Sequence, residues 1–122
     1  MEPKQTFRER CLVFSVGVAK MIEALPRTVT GKHVADQLLR SATSIGANVH
    51  EARGAESRAD FIHKMQLALK ETRETYYWLG FIEKTVLLKH ATVPALLKEC
   101  DEIAAILARS VLTAKQNGQK SY

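Results

Sequence analysis

The sequence of 122 residues predicts an all-α protein, an antiparallel up-down-up-down four-helix bundle that forms a single domain over residues 1–122. Along four segments, apolar residues recur at alternating steps of three and four, the spacing of a helix face that is buried in a bundle. No segment alternates apolar and polar residues for long enough to form a strand. The connections between the segments are short, and short links favour antiparallel neighbours.

The first two helices are predicted at about residues 7–25 and 31–52. Pro26 ends the first helix because the residue before a proline is pushed out of the helical region. Thr30 is the predicted N-cap of the second helix. The expected core of the first helix is Phe7, Cys11, Phe14, Val18, Met21 and Leu25, and that of the second is Val34, Leu38, Ala42, Ile45 and Val49.

The third and fourth helices are predicted at about residues 58–88 and 93–116. Ser57 is the predicted N-cap of the third helix, and Asp60 completes a variant of the capping box in which Asp replaces Glu. Asn117 and Gly118 are expected to end the fourth helix. The expected core of the third helix is Phe61, Met65, Ala68, Thr72, Tyr76, Leu79, Ile82 and Val86, and that of the fourth is Leu97, Cys100, Ile103, Ala104, Leu107, Val111 and Ala114.

The charge balance is basic: 18 lysines and arginines against 13 aspartates and glutamates leave a formal charge of +5. A basic domain favours an anionic partner such as nucleic acid. Cys11 and Cys100 show no CxxC spacing, so we expect two buried thiols in a reducing cytoplasm. Residues 1–10 are polar, and no apolar run reaches the length of a membrane span. These features predict a cytoplasmic protein with no signal peptide and no membrane association.

No enzyme class is favoured by the motifs. A di-iron bundle needs Glu-x-x-His on two helices, and this motif is absent. Asp60 and His63 have a similar step once, near the carboxylates of Glu71 and Glu74. One half-motif does not make a metal site, and the glycines form no phosphate-binding loop. The sequence therefore predicts no catalytic residue, no metal and no cofactor.

A group of small and polar residues lies in the second helix at helical spacing. A buried polar group must find a partner, because leaving it unpaired costs about 1–3 kcal/mol. We interpret these residues as a polar layer that meets two glutamates of the third helix; a ligand site is the alternative. The predicted layer comprises Arg40, Ser41, Ser44, Asn48, Glu51, Glu71 and Glu74.

The third helix also carries apolar side chains away from its core face, namely Leu67, Trp78 and Phe81. A helix that is apolar around more than half of its circumference is buried in a larger core or in a subunit contact. A four-helix bundle of this size has no fully internal helix. We therefore predict self-association through these three side chains.

Basic residues are distributed over the chain, and some stand near the predicted exposed Tyr77. Basic residues beside an exposed tyrosine fit a nucleic-acid footprint. The alternative is a solvated face in which Lys70 pairs with Glu74 and Lys98 with Glu102, four residues apart. The candidate nucleic-acid-binding residues are Lys70, Arg73, Lys84, Arg8, Arg10 and Lys115.

Residues 40–79, RSATSIGANVHEARGAESRADFIHKMQLALKETRETYYWL, resemble a bacterial four-helix bundle family. The pattern is Arg-Ser-x-x-Ser-Ile-x-x-Asn, a short turn, and Ser-x-x-Asp-Phe at the start of a long helix rich in Glu, aromatic and Leu residues. The family is named for the 23S rRNA intervening sequence, and the resemblance covers about residues 7–115. The matching residues are Arg40, Ser41, Ser44, Ile45, Asn48, Glu51, Ser57, Asp60, Phe61, Lys64, Glu71, Glu74 and Trp78.

The resemblance implies an all-helical bundle that assembles as a cyclic homopentamer and carries no catalytic residues at these positions. The family also resembles the accessory protein of diversity-generating retroelements, a basic pentameric bundle that works with a reverse transcriptase and RNA. Some members read Ala-Glu-Gly where this chain has His50, Glu51 and Ala52, a departure at the turn after the second helix.

Together these features predict a non-enzymatic homo-oligomer, a pentamer by resemblance, that binds RNA or DNA through a distributed basic surface. One alternative is a scaffold for another protein, whose positive charge is incidental. The other is a metal-dependent enzyme built on Asp60, His63, Glu71 and Glu74.

Overall fold

A computed structural model describes residues 4–119 and contains four helices within them: α1 Phe7–Ile22, α2 Val29–Ala52, α3 Arg58–Thr85 and α4 Thr92–Gln119. No strand occurs in this part of the chain. The predicted all-α class is confirmed. Residues 1–3 and 120–122 of the predicted domain lie outside the described part.

The helices pack in a cycle in which α1 contacts α2 and α4, and α3 contacts the same two helices. α2 and α3 run antiparallel. Arg40 of α2 pairs with Glu74 of α3, whereas Glu51, farther along α2, pairs with the earlier Lys64. Partners that move backward along α3 as α2 advances define an antiparallel pair.

The same order relates α1 to α4 and closes the bundle. Arg10, near the start of α1, bonds to Glu99 of α4, whereas Gly17, two turns later, lies against the earlier Leu96. These two antiparallel pairs agree with the up-down-up-down arrangement expected from the short connections.

Local hydrogen bonds set the helix starts. Thr6 and Glu9 form a reciprocal capping box at α1, a signal of the form Thr-x-x-Glu that sequence reasoning overlooked. The prediction of Thr30 as the cap of α2 was wrong, because Thr28 accepts the Gly31 N–H at 3.1 Å. Ser57 does cap α3 by accepting the Asp60 N–H at 3.0 Å. The Asp60 carboxylate accepts from the Glu56 N–H rather than from Ser57, so the box closes one residue earlier.

Three helix ends differ from the prediction. α1 stops at Ile22 because the backbone N–H groups that follow bond to carbonyls three residues earlier instead of four. Ala24 donates to Met21, and Leu25 donates to Ile22. α3 stops at Thr85 because Val86 is left-handed, with φ 54° and ψ 34°, a region that β-branched residues rarely adopt. α4 continues through residues 117–118 to its end at 119, so these residues do not end the helix at 116.

The predicted core of α1 and α2 is buried, apart from Phe7, which is half-buried. In α3 two predictions were wrong: Tyr76 is 47% exposed and Val86 is 62% exposed. The side chain buried in place of Tyr76 is Thr75, which continues the three-and-four spacing of the α3 seam. Cys11 and Cys100 are buried free thiols, and burial raises their pKa values to about 11 and about 12.

Candidate nucleic-acid interface

The contact between α2 and α3 contains an ion-pair cluster around Arg40. Its guanidinium donates to Glu71 at 3.1 Å and also to Glu74. The indole N–H of Trp78 donates to the same Glu74 carboxylate at 3.1 Å. The hydrogen bond from Arg40, followed by that from Trp78, holds the pKa of Glu74 below its ordinary value. Both glutamates are therefore engaged within the bundle.

A hydroxyl pair lies beneath this cluster, fully inside the bundle. Ser41 and Thr75 are both buried, and their hydroxyl oxygens are 2.8 Å apart in a hydrogen bond that joins α2 to α3. The Thr75 hydroxyl is also 2.8 Å from the Glu71 carbonyl oxygen of its own helix. No buried side-chain nitrogen or oxygen in residues 4–119 lacks a partner. The buried polar groups are therefore satisfied without a ligand.

The remaining residues of the predicted polar layer divide into two kinds. Glu51 pairs with Lys64 of α3 at 3.2 Å. Ser44 and Asn48 do not reach α3 through hydrogen bonds. Each donates instead to a carbonyl of its own helix at 2.8 Å, Ser44 to Arg40 and Asn48 to Ser44. They therefore do not link the two helices, because helical serine and asparagine side chains can satisfy themselves on the preceding turn.

Arg10, one of the predicted nucleic-acid-binding residues, is engaged in a contact between two helices of the bundle. Its guanidinium makes two parallel bonds to Glu99, at 2.8 and 2.6 Å, and a third bond to Glu102 at 2.7 Å. Arg10 thus joins α1 to α4 and has its charge neutralised. The hydrogen bond from Arg10 lowers the pKa of Glu99 below its ordinary value of 4.5.

Acidification is expected to weaken the α1–α4 contact. A carboxyl whose pKa is lowered by folding binds its proton more readily in the unfolded chain, so the stability that it confers is present above its ordinary pKa of 4.5 and is lost as the pH falls through the lower folded-state pKa. Glu99→Gln should flatten the fall in unfolding free energy over this range, as measured by urea denaturation at stepped pH. Glu23→Gln is the control, because Glu23 makes no ion pair within residues 4–119. An equal pH dependence in the Glu99 variant and the parent would contradict the assignment.

Lys70, Arg73 and Lys84, which we call the α3 basic face, are exposed and form no ion pair with any described residue. The predicted pairs at four-residue spacing are not formed. Glu74, the expected partner of Lys70, is bonded to Arg40. Lys70 lowers the pKa of Glu74 only through the electrostatic effect of its charge. These three cations are therefore available to an external anion.

A groove between α3 and α4 lies beside the α3 basic face. Its volume is about 580 Å³, and it is lined by Arg73, Tyr76, Tyr77, Gly80, Phe81, Glu83, Lys84 and Leu97. The two tyrosines are 47% and 61% exposed, so aromatic surface and cations meet at one place. The other candidate cations are on different helices, Arg8 at the start of α1 and Lys115 near the end of α4.

The predicted subunit-contact residues Leu67, Trp78 and Phe81 are half-buried. Trp78 packs edge-on against Tyr77 and Phe81, with ring centroids 5.0 and 6.0 Å apart. The more exposed aliphatic surface is on α1, where Leu12, Val13 and Val16 are 62%, 58% and 44% exposed. We call these three residues the α1 apolar face. Sequence reasoning missed them, although they are apolar positions outside the α1 seam.

The family model of the 23S rRNA-intervening sequence proteins matches residues 4–109. This chain belongs to the 23S rRNA-intervening sequence protein family. The resemblance identified from residues 40–79 is thereby confirmed. No curated protein matches the chain.

A solved structure supports the place of the chain among the 23S rRNA-intervening sequence proteins. It is a crystal structure at 1.70 Å of a protein with unknown function from the S23 ribosomal protein family of Bacteroides thetaiotaomicron VPI-5482. The two chains are 34% identical with a TM-score of 0.78, and the match covers 87% of this chain and 98% of the other.

The residues that carry the likeness to the 23S rRNA-intervening sequence proteins mostly build the α2–α3 contact. Ile45 is fully buried, and the Arg40 cluster and the Ser41 hydroxyl join the two helices. Ser57 and Asp60 start α3. The family signature therefore describes how this bundle is held together more than what it binds.

The four residues considered for a metal site have other positions here. Glu71 and Glu74 bind Arg40, Asp60 accepts a backbone N–H, and His63 is exposed on α3. Within residues 4–119 no three His, Cys, Asp or Glu side chains are grouped as metal ligands would be. None of the helices in that range has the length and apolarity needed to cross a membrane.

Proposed function

We propose that the protein is a non-enzymatic, self-associating helical bundle that binds RNA or DNA through the α3 basic face. The observation that carries this proposal is the contrast between two groups of cations. Arg10, Arg40 and Lys64 are paired with carboxylates across helix contacts, whereas the three cations of the α3 basic face are exposed and unpaired within residues 4–119. Unpaired cations beside exposed aromatic rings suit a phosphate backbone with accessible bases.

Salt dependence tests the binding. Each phosphate that a lysine or arginine neutralises releases counterions, so the logarithm of affinity should fall linearly with the logarithm of salt concentration. Three contacts per chain predict a slope of about −2 to −3, with the shallower value for single strands. Fluorescence anisotropy of labelled structured RNA and of duplex DNA measures it. A flat salt response, or no binding at about 50 mM salt, would refute the proposal.

Self-association is assigned to the α1 apolar face as well as to the predicted Leu67, Trp78 and Phe81. Adjacent large aliphatic side chains are costly to leave in water, and monomers rarely expose extended apolar patches. Light scattering should give a multiple of the chain mass of 13.6 kDa. Val16→Asp should reduce that mass, and Trp78→Ala tests the α3 residues separately. If the parent protein already scatters as one chain, this part of the proposal is wrong.

The scaffold alternative is favoured by the α1 apolar face, since a different protein could cover it. It predicts a partner whose retention survives nuclease treatment and does not depend on Lys70, Arg73 or Lys84. A cytoplasmic location is part of our proposal, because Cys11 and Cys100 are unpaired thiols. The pentameric state and the likeness to the retroelement accessory protein stay predictions.

A further inference from the structure

Gly80 is a helix glycine that the packing of the bundle does not explain. Glycine inside a helix destabilises that helix by about 1 kcal/mol relative to alanine, so a helix glycine invites a search for what its missing side chain leaves room for. A Cβ added at Gly31, Gly17 or Gly118 would meet another part of the chain within 3.4 Å. At Gly80 it would meet nothing within 4 Å, and Gly80 is alone in this among the glycines of residues 4–119.

The space above Gly80 is the groove between α3 and α4. Tyr76, Tyr77, Phe81 and Leu97 surround it with aromatic and aliphatic surface. The absence of a side chain at Gly80 therefore keeps an apolar groove open at the surface, beside two exposed tyrosines. Such a groove can accept a flat apolar group against its rings.

Charge indicates which flat group would fit. Arg73 and Lys84 line the groove and lie eleven positions apart on α3, which separates them by about 16 Å along the helix. Cations on either side of an aromatic floor match the alternation of phosphates and bases in a nucleic-acid strand. Glu83 also lines the groove, and its carboxylate can accept a hydrogen bond from the amino group of a base.

We infer that this groove holds an unpaired base of a single-stranded nucleic acid, stacked on the tyrosine rings, while Arg73 and Lys84 bind phosphates of the strand on either side of it. The inference rests on the proposed nucleic-acid binding and adds its substrate class. A duplex cannot place a base in the groove, because the faces of its bases are covered by stacking and only its phosphates reach the cations.

The test compares three labelled probes of about 12 nucleotides by fluorescence anisotropy: a single DNA strand, the same strand with its central bases removed, and the duplex. The parent protein should bind the intact strand about 5- to 150-fold more tightly than the abasic strand, the range for stacking one base. Gly80→Leu fills the groove and should abolish this preference while the abasic strand binds as before. Gly80→Ala adds only the Cβ and serves as the matched control for the loss of glycine.

Tyr77→Ala and Tyr77→Phe separate stacking from hydrogen bonding. The alanine variant should lose most of the preference for the intact strand, and the phenylalanine variant should keep it, because the ring supplies the stacking surface. Circular dichroism and urea denaturation verify that each variant is folded.

Three results would overturn the inference. If the intact and abasic strands bind equally with a steep salt response, the groove assignment fails and nucleic-acid binding stands. If no probe binds at low salt, the proposed function fails and the groove inference fails with it. If Gly80→Leu changes the mass measured by light scattering, the groove is a contact between copies of this chain.

Discussion

Reversing the α3 basic face by Lys70→Glu, Arg73→Glu and Lys84→Glu should weaken nucleic-acid binding by a factor on the order of 100 to 1,000 at about 50 mM salt. The reason is counterion release: each lost phosphate contact removes close to one unit from the salt slope, so the triple variant should bind with a slope shallower by about 2 to 3. Anisotropy titrations over a series of salt concentrations measure both quantities. The fold should persist, because these cations make no ion pair with the described residues.

A matched variant separates position from total charge. Lys20, Lys32 and Arg53 are exposed, lie outside α3, and likewise make no ion pair within residues 4–119. Reversing all three changes the net charge by the same amount. This control variant should lower the affinity for nucleic acid only through the overall electrostatic potential of the protein. Equal losses in the two triple variants would show that binding follows net charge and has no particular place on α3.

Gly31→Ala should lower the free energy of unfolding by about 3 kcal/mol, the largest stability change that we expect from a single methyl group. The added Cβ would lie 1.9 Å from the Pro26 carbonyl oxygen, a distance that two non-bonded atoms cannot share. To make room, the turn before α2 must move, and the Thr28 hydroxyl would lose its bond to the Gly31 N–H. Urea denaturation of the purified variant measures the loss.

The same substitution at Gly80 is the control and should have the opposite sign. Its Cβ meets no atom within 4 Å, so alanine should raise the free energy of unfolding by about 1 kcal/mol through helix propensity. The two variants differ from the parent by an identical chemical change, and only the surroundings differ. If Gly31→Ala proved as stable as the parent, the close approach of Pro26 would be absent in solution.

Periodicity predicted the buried faces of α1 and α2 because it is a local property that the backbone converts directly into a helix face. It failed at Tyr76 for a tertiary reason. The three-and-four spacing of apolar residues had assigned Tyr76 to the core of α3. The bundle instead buries Thr75, whose hydroxyl forms a hydrogen bond of 2.8 Å with the Ser41 hydroxyl of α2. Only the position of a second helix could show that a threonine at this point has a partner.

The ion pairs of α3 also differ from those expected from the sequence, again because a second helix supplies the partner. Four-residue spacing predicted that Lys70 would pair with Glu74 on the surface of α3. Arg40 comes from α2, some thirty residues away in the chain, and its planar guanidinium reaches Glu71 and Glu74 together. A contact between helices thus displaced the local pair and left Lys70 unpaired within the described residues.

The sequence by itself determined the four helices, most of the buried stripe on each, and the family, because all three depend on the order of residues along the chain. The tertiary structure alone decided which cations are available. Arg10 and Lys70 each add one positive charge to the sequence. Arg10 is bonded to Glu99 and Glu102 of α4, whereas Lys70 faces solvent. The physical reason is that an ion pair depends on distance in space. Antiparallel packing brings glutamates of α4 to Arg10 and brings Arg40 to the glutamates of α3.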